Sequence, residues 1–123
     1  AEVYYNMGKF YQDIGRYNEA IDAYIAVTRM RNDMGFRDNA FFNLGYIHVE
    51  LQVWDEARDY FGHAIHANPQ YYQAYYAKGY THEMLGDLQN AKSYYDKAID
   101  MNPGYEAARE GLNRVLGKIR GSM

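Results

Sequence analysis

Phe41-Phe42-Asn43-Leu44-Gly45-Tyr46-Ile47-His48 decides the fold, because the chain writes its pattern three times. Phe41-x2-Leu44-Gly45-x2-His48 returns as Tyr75-x2-Lys78-Gly79-x2-His82 and is foreshadowed by Tyr4-x2-Met7-Gly8-x2-Tyr11. A small residue follows each copy at one fixed distance (Ala20, Ala57, Ala91), and an aromatic comes four residues later (Tyr24, Phe61, Tyr95). Gly45 to Gly79 is a step of 34 residues, and so is Pro69 to Pro103. A fixed period of that length predicts an array of stacked helical hairpins.

Local signals agree. Val3, Met7, Phe10, Tyr11 and Ile14 fall at three- and four-residue steps, the stripe of one helix. Ala20, Ile21, Tyr24, Val27 and Met30 make a second stripe, expected from Tyr17 to about Asp33. Gly15-Arg16 then reads as the tight turn between them, repeated at Gly86-Asp87, with Gln52-Val53 in that place in the second copy. Asn68-Pro69 and Asn102-Pro103 turn the chain out of helix before the next helical segment. Gly8, Gly45 and Gly79 let the helices of a hairpin approach, and the small and aromatic positions fill the core.

Together these three registers resemble the tetratricopeptide repeat (TPR) family, and the resemblance covers residues 1–105. It implies an all-α, right-handed α-solenoid of three antiparallel hairpins. Its expected bounds are a single domain over 1–120, with repeats at about 1–37, 38–71 and 72–105. A terminal solvating helix is expected over 105–119, because Tyr105, Ala108, Leu112, Val115, Leu116 and Ile119 form one stripe. Residues 120–123 are expected to be a frayed tail. The start at Ala1 suggests an excised piece with the first helix uncapped.

Two departures stand out. Gly8 to Gly45 takes 37 residues, and the excess falls in Arg31-Asn32-Asp33-Met34-Gly35-Phe36-Arg37. It reads as a lengthened second helix stopped by Gly35, with a docking edge of Met30, Met34 and Phe36 as the alternative to a tolerated insertion. Lys78 stands at an aliphatic core position, where its stem can pack while the ammonium snorkels.

Composition excludes several classes. With 123 residues and no cysteine, the chain offers neither disulfides nor thiolate metal sites. A formal charge of −3 opposes nucleic-acid binding, and no run is long enough for a membrane span. Cytoplasmic and periplasmic locations are both compatible with the sequence. His48 and His82 share the position of Tyr11, so they read as seam residues. His63 and His66 lack a third ligand in sequence, and no nucleophile or phosphate motif occurs. The expectation is a non-enzymatic chain without cofactor or metal.

Function is therefore expected on the concave face that the resemblance assigns to the first helices. Three residues before each glycine stand Tyr5, Phe42 and Tyr76, and one residue after it Lys9, Tyr46 and Tyr80. Asn6 and Asn43 make a partial asparagine ladder that Ala77 breaks. Gln12, Glu50 and Glu83 lie further along, with Glu110 and Arg114 added by the terminal helix. The candidate peptide site is thus Tyr5, Asn6, Lys9, Phe42, Asn43, Tyr46, Glu50, Tyr76, Tyr80 and Glu83. Aromatic faces suit proline, aromatic or cationic side chains, and amides can pair with any peptide backbone. An acidic rim favours a basic segment. Family members that grip chaperone carboxylates use a lysine–asparagine–arginine clamp on these helices. Only Asn43 matches it, since Tyr5, Lys9, Gln73 and Ala77 replace the rest. Peptide capture is the favoured expectation. The alternative is self-association or stacking on adjacent repeats through the first helix.

Overall fold

The computed structural model describes residues 1–31 and 35–121, all helix, turn or connecting chain. The fold is all-α, built from helical hairpins, and the chain divides into two compact units. The first, Ala1–Asn68, holds α1 (Glu2–Asp13), α2 (Tyr17–Arg29), α3 (Arg37–Glu50) and α4 (Trp54–Ala67). The second begins at Pro69 and holds α5 (Tyr72–Met84), α6 (Leu88–Met101) and α7 (Glu106–Gly121).

The turns that close the hairpins are one motif used three times. Gly15, Gln52 and Gly86 all have positive φ, at 78°, 58° and 83°. After each first helix, one amide bonds back five residues and its predecessor three. The long bonds are Arg16 N–H to the Tyr11 carbonyl, Val53 to His48 and Asp87 to His82, at 2.8–2.9 Å. This paired pattern satisfies carbonyls that the helix end leaves bare. Gln52 holds a backbone shape that L side chains disfavour by about 1 kcal/mol. Asp87 also caps α6, accepting from the Asn90 amide.

Each repeat glycine proves to be the floor under an aromatic ring. A Cβ on Gly8 would lie 2.6 Å from the Tyr24 ring, one on Gly45 2.5 Å from Phe61, and one on Gly79 3.0 Å from Tyr95. Tyr24, Phe61 and Tyr95 are fully buried. Burying each contributes roughly 2–3 kcal/mol. In the first unit Tyr24, Ala20 and Val27 of α2 also meet Ala40, Leu44 and Ile47 of α3, so the two hairpins share one core. The same register on α1 places Val3, Met7 and Phe10 outward, and Val3 and Phe10 are 70% and 60% exposed.

Two expectations need correction. The second helix is not lengthened: α2 stops at Arg29, and Met30 is extended with ψ 138°. The Arg37 guanidinium takes the Met30 carbonyl at 2.6 Å, which holds the chain out of helix there. Gly35, φ 92°, lies just before α3 and does not end α2. Met34, with Asn32 and Asp33, falls outside the described residues, as do Ser122 and Met123 of the expected tail. Arg120 and Gly121 belong to α7 rather than to a frayed end. Finally, α7 carries a fourth ring floor: a Cβ on Gly111 would meet Tyr95 at 2.6 Å. Tyr95 is thus clasped between Gly79 and Gly111.

Candidate functional site

The aromatic positions before the glycines divide from those after them. Tyr5, Phe42 and Tyr76 tilt against the buried second-helix rings. Their centroids lie 5.8 Å from Tyr24, 5.6 Å from Phe61 and 5.7 Å from Tyr95, respectively. Tyr5 also touches Phe36, and Tyr76 touches Tyr105. Geometry therefore gives these three rings a packing duty, and each is only partly open to solvent. Tyr46, one residue after its glycine, is 46% exposed and leans on Phe42 at 5.5 Å. Asn6, Lys9 and Glu50 are exposed, and Tyr80 is half-buried.

Asn43 is engaged within its own unit. Its amide donates to the hydroxyls of Tyr5 and Tyr24, both at 3.2 Å, and Tyr24 donates onward to Gln12 Oε1 at 2.7 Å. Burial drives the Tyr24 phenol well above its ordinary pKa, partly offset by the Asn43 bond, so it stays a neutral donor. The chain Asn43–Tyr24–Gln12 locks α1, α2 and α3 in register. It also removes the Asn43 amide from the groups free to meet a ligand backbone.

Glu83 corrects the expected acidic rim. It is buried, and its carboxylate accepts from Tyr95 at 2.8 Å, Arg114 at 2.7 and 2.8 Å, and Lys118 at 2.6 Å. Burial alone would raise its pKa, but the bonds from Arg114, Lys118 and Tyr95 outweigh it and hold the carboxyl at about 2. The same burial, with the carboxylate beside it, pushes the Tyr95 phenol far up. Sequence reading missed this network because Arg114 and Lys118 come from α7, a helix beyond the repeat pattern. Arg114 is thereby a structural partner of Glu83.

The histidines also find packing partners. His82 stacks on Tyr94 with centroids 5.3 Å apart, and His48 lies 5.1 Å from Tyr60 with its Nδ1 2.7 Å from the Leu44 carbonyl. His63 rests on Phe41. Lys78, the expected snorkelling residue, places its ammonium 4.9 Å over the Tyr94 ring. Among the described residues, no group of three or more His, Asp or Glu is placed to hold a metal, and no helix is long and apolar enough to cross a membrane.

Helix hairpins closed by one turn motif and seated ring-on-glycine define a helical-repeat protein. Two family models match, both described as tetratricopeptide repeat, over residues 42–106 and 1–34. The chain belongs to the tetratricopeptide repeat family. It is similar to the photosystem I assembly protein Ycf3 of Rippkaea orientalis, with 31% identity over 70 residues. That match covers 57% of this chain and 40% of that protein, so the chain matches well under half the length of the curated relative. Among solved structures, the first TPR of Spaghetti (RPAP3), bound to the HSP90 peptide SRMEEVD, superposes with a TM-score of 0.88 at 23% identity. It covers 96% of this chain and 91% of that one. The MamA protein gives a TM-score of 0.82 at 27% identity, over 93% of this chain and 61% of that one.

Proposed function

We propose that this chain is a non-enzymatic protein-interaction module that captures an extended peptide of a partner protein on its first-helix faces. Family membership and the peptide held by the RPAP3 domain support the interaction role. The observation that carries the peptide reading is the exposed Tyr46 ring, buttressed by Phe42 on a helix locked into the first unit's core. A rigid, half-open aromatic face gives contact area at small entropic cost. Asn6, Lys9 and Glu50 supply open polar groups in the same unit, and Tyr76 and Tyr80 offer partly exposed rings in the second.

The ligand differs from the peptide of the RPAP3 complex. Three of the seven residues in SRMEEVD are acidic. Here Lys9 is the single cation of the proposed set, Asn43 is spent on Tyr5 and Tyr24, and Ala77 is buried. With Glu83 neutralised by α7, preference for a basic ligand rests on Glu50. A proline- or aromatic-rich segment fits the face better, through stacking on Tyr46. A peptide-library selection tests this directly. Tyr46→Ala should weaken the selected peptide roughly tenfold, the usual cost of truncating a central tyrosine, with helical content unchanged. Tyr80→Ala tests the ring of the second unit by the same measurement. Full-strength binding by Tyr46→Ala would sink the reading.

A further inference from the structure

A cavity in the first hairpin is the space that the other two hairpins fill with a tyrosine. Position by position, Tyr4 and Tyr11 of α1 correspond to Phe41 and His48 of α3 and to Tyr75 and His82 of α5. In the second hairpin Tyr60 lies between its pair, 6.5 Å from Phe41 and 5.1 Å from His48. In the third, Tyr94 does the same, 6.4 Å from Tyr75 and 5.3 Å from His82. The corresponding residue of α2 is Ala23. What remains is a cavity of about 270 Å³ lined by Tyr4, Met7, Tyr11, Glu19, Asp22 and Ala23. A dry cavity of about 150 Å³ is enough for a benzene ring.

The charges around this place also differ from those of the third hairpin, although the middle hairpin carries the same acidic pair, Glu56 and Asp59. In the third hairpin the ammonium groups of Lys78 and Lys97 stand 4.9 and 5.3 Å from the Tyr94 ring. Their counterparts in the first hairpin are Met7 and Ala26, which carry no charge, while Glu19 and Asp22 line the opening. Arg16 pairs with Glu19 and lies 5.5 Å over Tyr11, and among the described residues no ion pair reaches the exposed Asp22 carboxylate. Compared with the third hairpin, the cavity lacks the central tyrosine ring and the two lysines that flank it.

We propose that this cavity is a docking pocket for a tyrosine side chain of a partner protein, presented with a lysine or arginine next to it. The ring enters between Tyr4 and Tyr11 above Ala23, and the cation pairs with Asp22. This pocket is separate from the exposed face of Tyr46, so the two can fail independently.

Tyramine and p-cresol are the probes, read by NMR at the Ala23 methyl and the Tyr4 and Tyr11 rings of the whole chain. Tyramine should shift these signals saturably, and p-cresol should bind roughly two- to fivefold more weakly for want of the ammonium. A short peptide with Lys beside Tyr should bind more tightly than tyramine. Ala23→Tyr, or Ala23→Phe, should melt above the wild type and lose every shift, because the pocket is then filled from within. Signals unmoved by tyramine and peptide at millimolar concentration overturn the proposal, as do both filled variants melting below the wild type. Tyramine binding without peptide binding also overturns it, in favour of a free phenolic amine.

Discussion

The first and third hairpins seat a second-helix tyrosine on a glycine in the same way and complete its hydroxyl in opposite ways. Tyr24 donates to the neutral Gln12, whose position four residues past the glycine is the one Glu83 holds for Tyr95. The middle hairpin has Phe61 with Val49 at those positions, and needs no polar partner. A hydroxyl on the ring and a polar residue beneath it therefore come and go together, as a buried polar atom requires. The neutral seam completes itself within the repeats. The charged seam draws two cations from α7, so the third hairpin depends on a helix outside the repeat pattern.

The largest expected effect breaks the charged seam. Glu83→Gln should cost about 2–3 kcal/mol at pH 7 in urea unfolding, since Arg114 and Lys118 lose their buried counter-charge. The pH profile sharpens the same point. Glu83 falls from 4.5 to about 2 on folding. A depressed folded pKa stabilises fully above the ordinary carboxylate range and is lost as pH falls from about 5 towards 2. Wild type should shed about 3 kcal/mol through that window that Glu83→Gln does not. An unchanged profile in the variant would assign the acid response elsewhere.

Deleting only the hydroxyls should separate the two seams by less. Tyr95→Phe removes a bond to a charged acceptor and should cost about 2 kcal/mol, against about 1 kcal/mol for Tyr24→Phe. The reverse order would mean that the neutral chain through Asn43 binds the hairpins more firmly than the charged one. The smallest change is a gain. Gln52→Gly should raise stability by roughly 0.5–1 kcal/mol, because glycine adopts the φ of 58° without strain and its turn then matches Gly15 and Gly86.

Much of the fold was legible because a 34-residue period leaves one physical solution for three registers at once. The site was legible only in part. The rings before the glycines could not be told from the rings after them, since both lie on one helical stripe and only the second-helix rings decide which is covered. Glu83 read as a rim carboxylate because its partners lie 31 and 35 residues onward, in a helix outside the repeat pattern that fixes no pairing between them. The end of α2 was misplaced because an apolar stripe continues to Met30, while the bond that pulls Met30 out of helix comes from Arg37. Ala23 gave no local signal: its meaning appears only beside Tyr60 and Tyr94.

Tyr95 lies between two glycines, and this ties three sequence positions into one heritable unit. Enlarging Gly111 can be accommodated by a smaller residue at 95, but that residue would then leave the floor at Gly79 uncovered. Neutral drift at any of the three is contingent on the other two, and double-mutant cycles among them should be strongly non-additive. The Gly8–Tyr24 pairing carries no such third party in its own hairpin, so the first repeat is the freer of the two to diverge.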